Sequence, residues 1–288
     1  MKRKKTILFL ACLMTLTLVY KGNKGTFSAD DLLSPSESGS AWDTSSLDHS
    51  FPIDTILSQK FHFLGKGHQA FAFASADGQY VLKLFKPHYP HITLLGQSIN
   101  FTPIPFSRWL YRTLYPETFH QGVEQDLASY INARIKFQPE SLVEYLHLAK
   151  TSHLNTTLQI FDKKGSLKTL PADTTCFLIQ RKVIPLQIVL DNLTQENRKE
   201  DAKLVLKRLV TLLERRVELG FYKPTHKFHV NFGCVDLQPI QLDIGRLFSI
   251  ENAEIDKKAE LQISIQKLQE WVAERCPNLL DCLPREQE

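Results

Sequence analysis

Apolar residues along the chain fall into blocks whose spacing switches between the strand period and the helix period. Phe61-His62-Phe63-Leu64 and Phe71-Ala72-Phe73 alternate or run apolar on either side of Gly65 and Gly67, and Tyr80-Val81-Leu82-Lys83-Leu84-Phe85 follows. These predict three strands, the first two joined by a glycine turn. Between Phe119 and Lys136, Val123, Leu127, Tyr130, Ile131 and Ile135 recur at helical spacing, and the reading continues helical through Leu142 to Leu148. His147, on the apolar flank of that stretch, reads as a satisfied core histidine. Leu158-Gln159-Ile160-Phe161 and Leu167, around Lys163-Lys164-Gly165-Ser166, predict a β-hairpin. Phe177-Leu178-Ile179 predicts another strand. Thr194 is expected to cap a long helix ended by Gly220, with Ala202, Val205, Leu206, Leu209, Leu213 and Val217 as its apolar stripe. Phe232 to Val235, a turn at Asp236-Leu237-Gln238-Pro239, and Ile240 with Leu242 predict a second hairpin. A last helix is expected near Lys257 to Glu274, which makes the class α+β.

The chain ends of this pattern behave differently. Residues 1–21 open with Lys2, Arg3, Lys4 and Lys5, followed by an uncharged, largely apolar run over residues 6–20. That is a signal peptide or membrane anchor, so the protein is expected to be membrane-anchored or exported, with the membrane as a partner through residues 6–20. Residues 22–50 are rich in Ser, Gly, Asp and Thr and read as a flexible linker, in which Trp42 stands alone. Lys86 to Pro116 is an insertion rich in proline and aromatic residues, read as a packed loop or a lid near lipid. The net charge is +4, and four of those positive charges sit at positions 2–5. The remainder is near neutral and offers no stripe for nucleic acid. Cys176 and Cys234 fall in predicted strands, whereas Cys276 and Cys282 lie close enough to close a small disulfide loop in an oxidising compartment.

Candidate chemistry concentrates in three places. Gly65 and Gly67 let backbone N–H groups approach an anion, and Lys83 adds a fixed positive charge beside that turn. Asn231 and Asp243 are twelve positions apart across the second predicted hairpin, which would bring an amide oxygen and a carboxylate together. With nucleotide phosphates, that is a donor set suited to Mg²⁺, which keeps few protein ligands.

The order of Leu64-Gly65-Lys66-Gly67, Val81-Leu82-Lys83, His229-Val230-Asn231-Phe232-Gly233 and Leu242-Asp243-Ile244-Gly245 resembles that of the protein-kinase-like superfamily. The matches cover roughly residues 60–86 and 175–248. The resemblance implies a two-lobed domain over residues 51–288, with a small lobe over about 51–181 and a shortened C-lobe over about 182–288. It implies ATP and Mg²⁺ as cofactors. Lys83 would meet the α- and β-phosphates and pair with Glu124, or with Asp126 as second choice, on the helix after the insertion. Backbone groups from Gln180 to Lys182 would meet the adenine edge, and Asn231 and Asp243 would hold the metal.

The departures from that family shape the expected function. Ala70 stands at the third glycine position, and His226 stands where the family places its catalytic aspartate. No carboxylate lies between Leu219 and Gly233, and a positioned base is worth on the order of 10²–10⁴-fold. His226 is the weak candidate for a substitute base. Only 43 residues follow Gly245, too few for the lobe that docks a protein substrate. The expectation is a nucleotide-binding pseudokinase or scaffold that presents a surface to a protein partner. Two alternatives stay open: an atypical phosphotransferase acting on a small molecule, and an α+β interaction protein that binds no nucleotide.

Overall fold

The structure, a computed structural model, describes residues 51–67, 69–87, 91–94, 97–100, 113 and 116–284, with single positions at 27, 32, 33, 35, 42 and 44. It is an α+β fold. After a short helix α1 (Ile53–Leu57) come β1 (Lys60–Lys66), β2 (Ala70–Ser75) and β3 (Tyr80–Phe85), then a separate ribbon of β4 (His91–Leu94) and β5 (Gln97–Asn100). The long helix α2 (Pro116–Ile135) precedes β6 (Val143–His147), β7 (Thr157–Phe161), β8 (Leu167–Pro171) and β9 (Phe177–Arg181). One seven-stranded sheet orders these as β6-β9-β3-β2-β1-β7-β8. It is mixed, because β7 runs parallel to β1 while the other neighbours are antiparallel.

The sheet separates two cores by the two-residue period of its strands. Phe177 and Ile179 of β9 join Phe61, Phe71, Phe73 and Leu82 on one face, whereas Leu178 between them joins Val123, Leu127 and Tyr130 of α2 on the other. The predicted helix over 119–136 is thus present, with its apolar stripe laid on the sheet. The stretch from Leu142 to Leu148, expected to be helical, is instead strand β6. The helix has already ended at Ile135, Leu142 sits at φ 49, and pairing with β9 then wins over the local pattern. His147 is a satisfied core histidine: Nδ1 lies 2.8 Å from the Thr175 carbonyl and Nε2 lies 3.0 Å from Thr151 Oγ1. The β7–β8 hairpin forms as expected, with Gly165 at φ 78 and Asp162 Oδ1 accepting from the Lys164 and Ser166 amides.

A second part follows the two-residue strand β10 (Ile184–Pro185). It contains α3 (Leu186–Gln195), α4 (Lys199–Glu218), β11 (Phe221–Tyr222), the single turn α5 (Phe228–Asn231), β12 (Phe232–Val235), β13 (Gln238–Gln241), β14 (Phe248–Ser249) and α6 (Lys257–Arg275). Its core is built from Leu190, Leu206, Leu209, Leu213, Phe228, Phe232, Leu268 and Val272. The long helix expected from Thr194 to Leu219 is present as α4 but starts at Lys199, and Thr194 lies in the preceding helix α3. Asn197 takes a left-handed conformation at φ 56, a position that asparagine tolerates, and the chain turns there. Thr194 does not cap: its hydroxyl donates back to the Leu190 carbonyl at 2.8 Å. Gly220 does end α4, at φ 84 with its amide on the Val217 carbonyl.

The segment expected to be a free linker has anchors on the sheet. Phe27 is buried edge-on against Phe71 and Phe73, with ring centroids 5.2 and 5.7 Å away. The Leu33 amide donates to the Phe85 carbonyl at 2.8 Å, Trp42 packs beside the α2 core, and the Thr44 hydroxyl donates to the Leu146 carbonyl. Residues 6–20, and most of the insertion between Lys86 and Pro116, lie outside the described residues. Among the described residues no helix is long and apolar enough to cross a membrane. Cys176, Cys234, Cys276 and Cys282 are free thiols.

Candidate functional site

The glycine turn between β1 and β2 is held by backbone bonds at its base. The pairing register shifts between Phe63 and Gly65, the Gly67 amide donates to the Ala70 carbonyl at 2.9 Å, and the Lys86 amide donates to the Gln69 carbonyl at 2.8 Å. The Lys86 ammonium donates to the Gly67 carbonyl. A Cβ added at Gly65 would meet nothing within 4 Å, and one at Gly67 would lie 3.5 Å from the Ala70 carbonyl. Among the described residues, packing therefore does not require either glycine. The Lys66 and Lys86 ammonium groups lie 5.1 and 5.2 Å from the centroid of the Phe71 ring, which keeps two positive charges beside the turn.

Lys83 sits mid-strand, between Ala72 of β2 and Leu178 of β9. Its ammonium donates to the Leu242 carbonyl at 2.6 Å, so the sheet reaches directly to the Leu242–Gly245 segment. A second lysine arrives from the opposite side. Lys223, just after β11, places its ammonium 3.1 Å from Asp243 Oδ2 and donates to the Gly245 carbonyl at 2.5 Å. The Lys223 side chain is 2% exposed and that of Asp243 is 42% exposed. Burial pushes the Lys83 ammonium down to about 8, against the pull of the Asp243 carboxylate and helped by repulsion from Lys223. Burial also lowers Lys223, opposed by its contact with Asp243.

Asn231 and Asp243 are brought together as the hairpin spacing requires. β12 and β13 pair from Phe232 with Gln241 to Val235 with Gln238, closed by the two-residue turn Asp236-Leu237 at φ 46 and 60. At the open end, the Asn231 carbonyl accepts from the Leu242 amide at 2.7 Å and the Asp243 amide at 3.3 Å. The Asn231 side chain is buried, with Nδ2 on the Thr225 carbonyl at 3.5 Å. Gly233, within β12, is required by close approach: an added Cβ would lie 2.4 Å from Val183 Cγ2 and 2.7 Å from the Ile184 carbonyl.

The carboxylate facing this site from α2 is Asp126. Glu124 is exposed, and the structure does not bring it to Lys83. Asp126 Oδ1 accepts from Gln69 Nε2 at 2.7 Å, and burial raises its carboxyl to about 6 in spite of the nearby Arg246 charge. Gln69 also covers Gly245, where an added Cβ would lie 1.9 Å from Gln69 Oε1. One side chain of the glycine turn thus links α2 to the Asp243–Gly245 segment.

Two other expected site residues are committed elsewhere. Gln180 is buried within β9, and its side-chain amide donates to the Ser141 carbonyl at 2.6 Å. The neighbouring amides of Arg181 and Lys182 donate to the Leu142 and Gln79 carbonyls at 3.1 and 2.8 Å. Those two N–H groups are therefore taken by the chain itself. His226 has Nε2 3.0 Å from Ser264 Oγ of α6, within a buried polar cluster that includes the Arg216–Glu260 pair at 3.5 Å. Burial, with repulsion from Arg216, Lys267 and Lys223, pushes the imidazole down to about 4. Such a ring stays neutral near pH 7 and accepts a proton poorly. Sequence reasoning passed over Lys223 and Gln69. The first had only the signal of a lysine between Tyr222 and Pro224, and the second carried none beyond adjacency to the glycine turn. No family model and no curated protein matches the sequence.

Proposed function

We propose that this chain is a two-lobed, kinase-like protein that binds a nucleotide without transferring its phosphoryl group, a pseudokinase held at a membrane or exported through residues 6–20. On this reading the seven-stranded sheet and α2 form the small lobe, and the part after β10 forms the shortened C-lobe. The observation that carries the reading is the convergence of Lys83, Lys223 and Asp243, with Asn231 bonded through its backbone to Asp243 and Gln69 of the glycine turn covering Gly245. Residues from four separated stretches meet there, and together with Lys66 and Lys86 they favour an anion as large as a nucleoside triphosphate. Retention of the nucleotide rather than turnover is supported by the absence of any carboxylate between Leu219 and Gly233 and by the engagement of His226 with Ser264. Its output would then be a surface presented to a protein partner.

The test is thermal unfolding of the full chain in detergent with and without ATP, alongside Lys83→Ala, together with an assay for transfer of labelled γ-phosphate. A ligand bound only by the folded state stabilises it, by about 2.7 kcal/mol at a hundredfold excess over Kd. Stabilisation that disappears in Lys83→Ala, with no transfer of label, is the expected result. Absence of stabilisation in the parent chain would overturn the nucleotide reading, and transfer of label would replace it with the phosphotransferase alternative.

A further inference from the structure

We propose that the buried ammonium of Lys223 takes the place of the magnesium ion in this site, so that the chain binds a nucleoside triphosphate without a divalent metal. The inference rests on the nucleotide reading above and names the charge state in which that site works. Kinase-like resemblance assigns Mg²⁺ to Asn231 and Asp243, and the geometry does not fit that assignment. Asp243 Oδ2 already faces an ammonium at 3.1 Å, and the same ammonium is pinned from its other side by the Gly245 carbonyl at 2.5 Å. A divalent cation seated on Asp243 would share the carboxylate with a fixed positive charge that cannot swing into solvent, because the Lys223 side chain is 2% exposed. The other carboxylate at the site, Asp126, is engaged by Gln69 Nε2 and lies near the Arg246 charge, and among the described residues no group of three or more His, Cys, Asp or Glu side chains is placed to hold a metal.

The same charges suit a bare polyphosphate. Lys83 and Lys223 both fix the Leu242–Gly245 backbone, at the Leu242 carbonyl and at the Gly245 carbonyl respectively. Asp243 is the carboxylate paired with a lysine there, and with Asp126 and Arg246 counted the three cations Lys83, Lys223 and Arg246 still exceed the two carboxylates. Lys66 and Lys86 add two more at the glycine turn. Charge that Mg²⁺ ordinarily supplies to the phosphates is thus supplied by side chains that are already desolvated and positioned.

The test is calorimetric titration of the full chain in detergent with ATP, in EDTA and in excess MgCl₂, for the parent, Lys223→Met and Asp243→Asn. The parent is expected to bind in EDTA with a Kd within about threefold of its value in Mg²⁺. Lys223→Met should lose on the order of tenfold to a hundredfold in EDTA, the scale of one positive charge removed from beside the site, and lose less in Mg²⁺, where Asp243 is free to hold the ion. Asp243→Asn leaves Lys223 pinned on the Gly245 carbonyl but removes the carboxylate that offsets its charge, and should bind in EDTA at least as tightly as the parent. Should Lys223→Met not fold, the Asp243→Asn titration decides, and weaker binding in EDTA there overturns the inference. Parent binding that requires Mg²⁺ overturns the inference while leaving a nucleotide site, and no heat in either buffer overturns the nucleotide reading with it.

Discussion

Asp126→Asn should make the protein more stable at neutral pH. Asp126 is 8% exposed and its carboxyl is raised from 3.8 to about 6, chiefly by burial. That displacement corresponds to about 3 kcal/mol of disfavoured ionisation. Because the folded value lies above the unfolded one, the folded state holds more protons between pH 4 and 6. Stability from this group is full below about pH 4 and is lost as pH rises through about 6. Asparagine keeps the shape and an oxygen to accept from Gln69 Nε2, but it has no charge to desolvate. The assay is urea unfolding of parent and variant at intervals from pH 4 to pH 7.5, with the difference taken at each pH so that other titrations cancel. The variant should match the parent near pH 4 and exceed it by up to about 3 kcal/mol at pH 7, or roughly 2–4 °C in Tm per kcal/mol for a domain of this size. A variant less stable at pH 7, by an amount that does not change with pH, would refute the reasoning. It would place the ionised carboxylate in a favourable pair with Arg246 instead.

Gly233→Ala should cost about 1–3 kcal/mol, since its Cβ would stand 2.4 Å from Val183 Cγ2 and 2.7 Å from the Ile184 carbonyl and force β10 off β12; chemical denaturation measures it, and an unchanged midpoint counts against the close approach. Phe27→Ala should cost about 3 kcal/mol through loss of its edge contacts with Phe71 and Phe73. A melting temperature that does not move would return residues 22–50 to the role of a free tether.

Much of the fold was legible because periodicity and turn chemistry agreed there. The glycine hairpin, the β7–β8 hairpin with Gly165, the α2 stripe and the Asn231–Asp243 hairpin each had two local signals pointing the same way. Where only one signal existed, tertiary contacts decided. Leu142 to Leu148 is too short for its apolar run to distinguish helix from strand, and pairing with β9 fixed the outcome. The stripe from Ala202 to Val217 marked the long helix, but Thr194 was read as its cap although it belongs to the preceding helix α3, and the break at Asn197 carries no proline or glycine to show it. Phe27, Leu33 and Trp42 were invisible for a different reason: three anchors scattered through a polar segment have no period, and only the sheet surface they meet gives them meaning.

The site divides along the same line. Lys83 and the pair Asn231 and Asp243 could be placed from strand position and hairpin spacing, because each is fixed by its neighbours in sequence. Glu124 and Asp126 are two positions apart on a helix, and which of them faces inward depends on how α2 rotates against the sheet, a quantity set by Val123, Leu127 and Tyr130 in the core. Lys223 is the harder case. The stretch from Leu219 to Gly233 carries no carboxylate, but that says nothing about which cation stands beside Asp243. Lys223 is fixed by a contact across 20 positions, with Asp243, while its side chain is 2% exposed. A lysine held in that way is costly to desolvate, and it persists in the fold only because Asp243 and the Gly245 carbonyl both meet it. The carboxylate-free stretch from Leu219 to Gly233 and the buried Lys223 beside Asp243 therefore move the local charge in the same direction, toward positive.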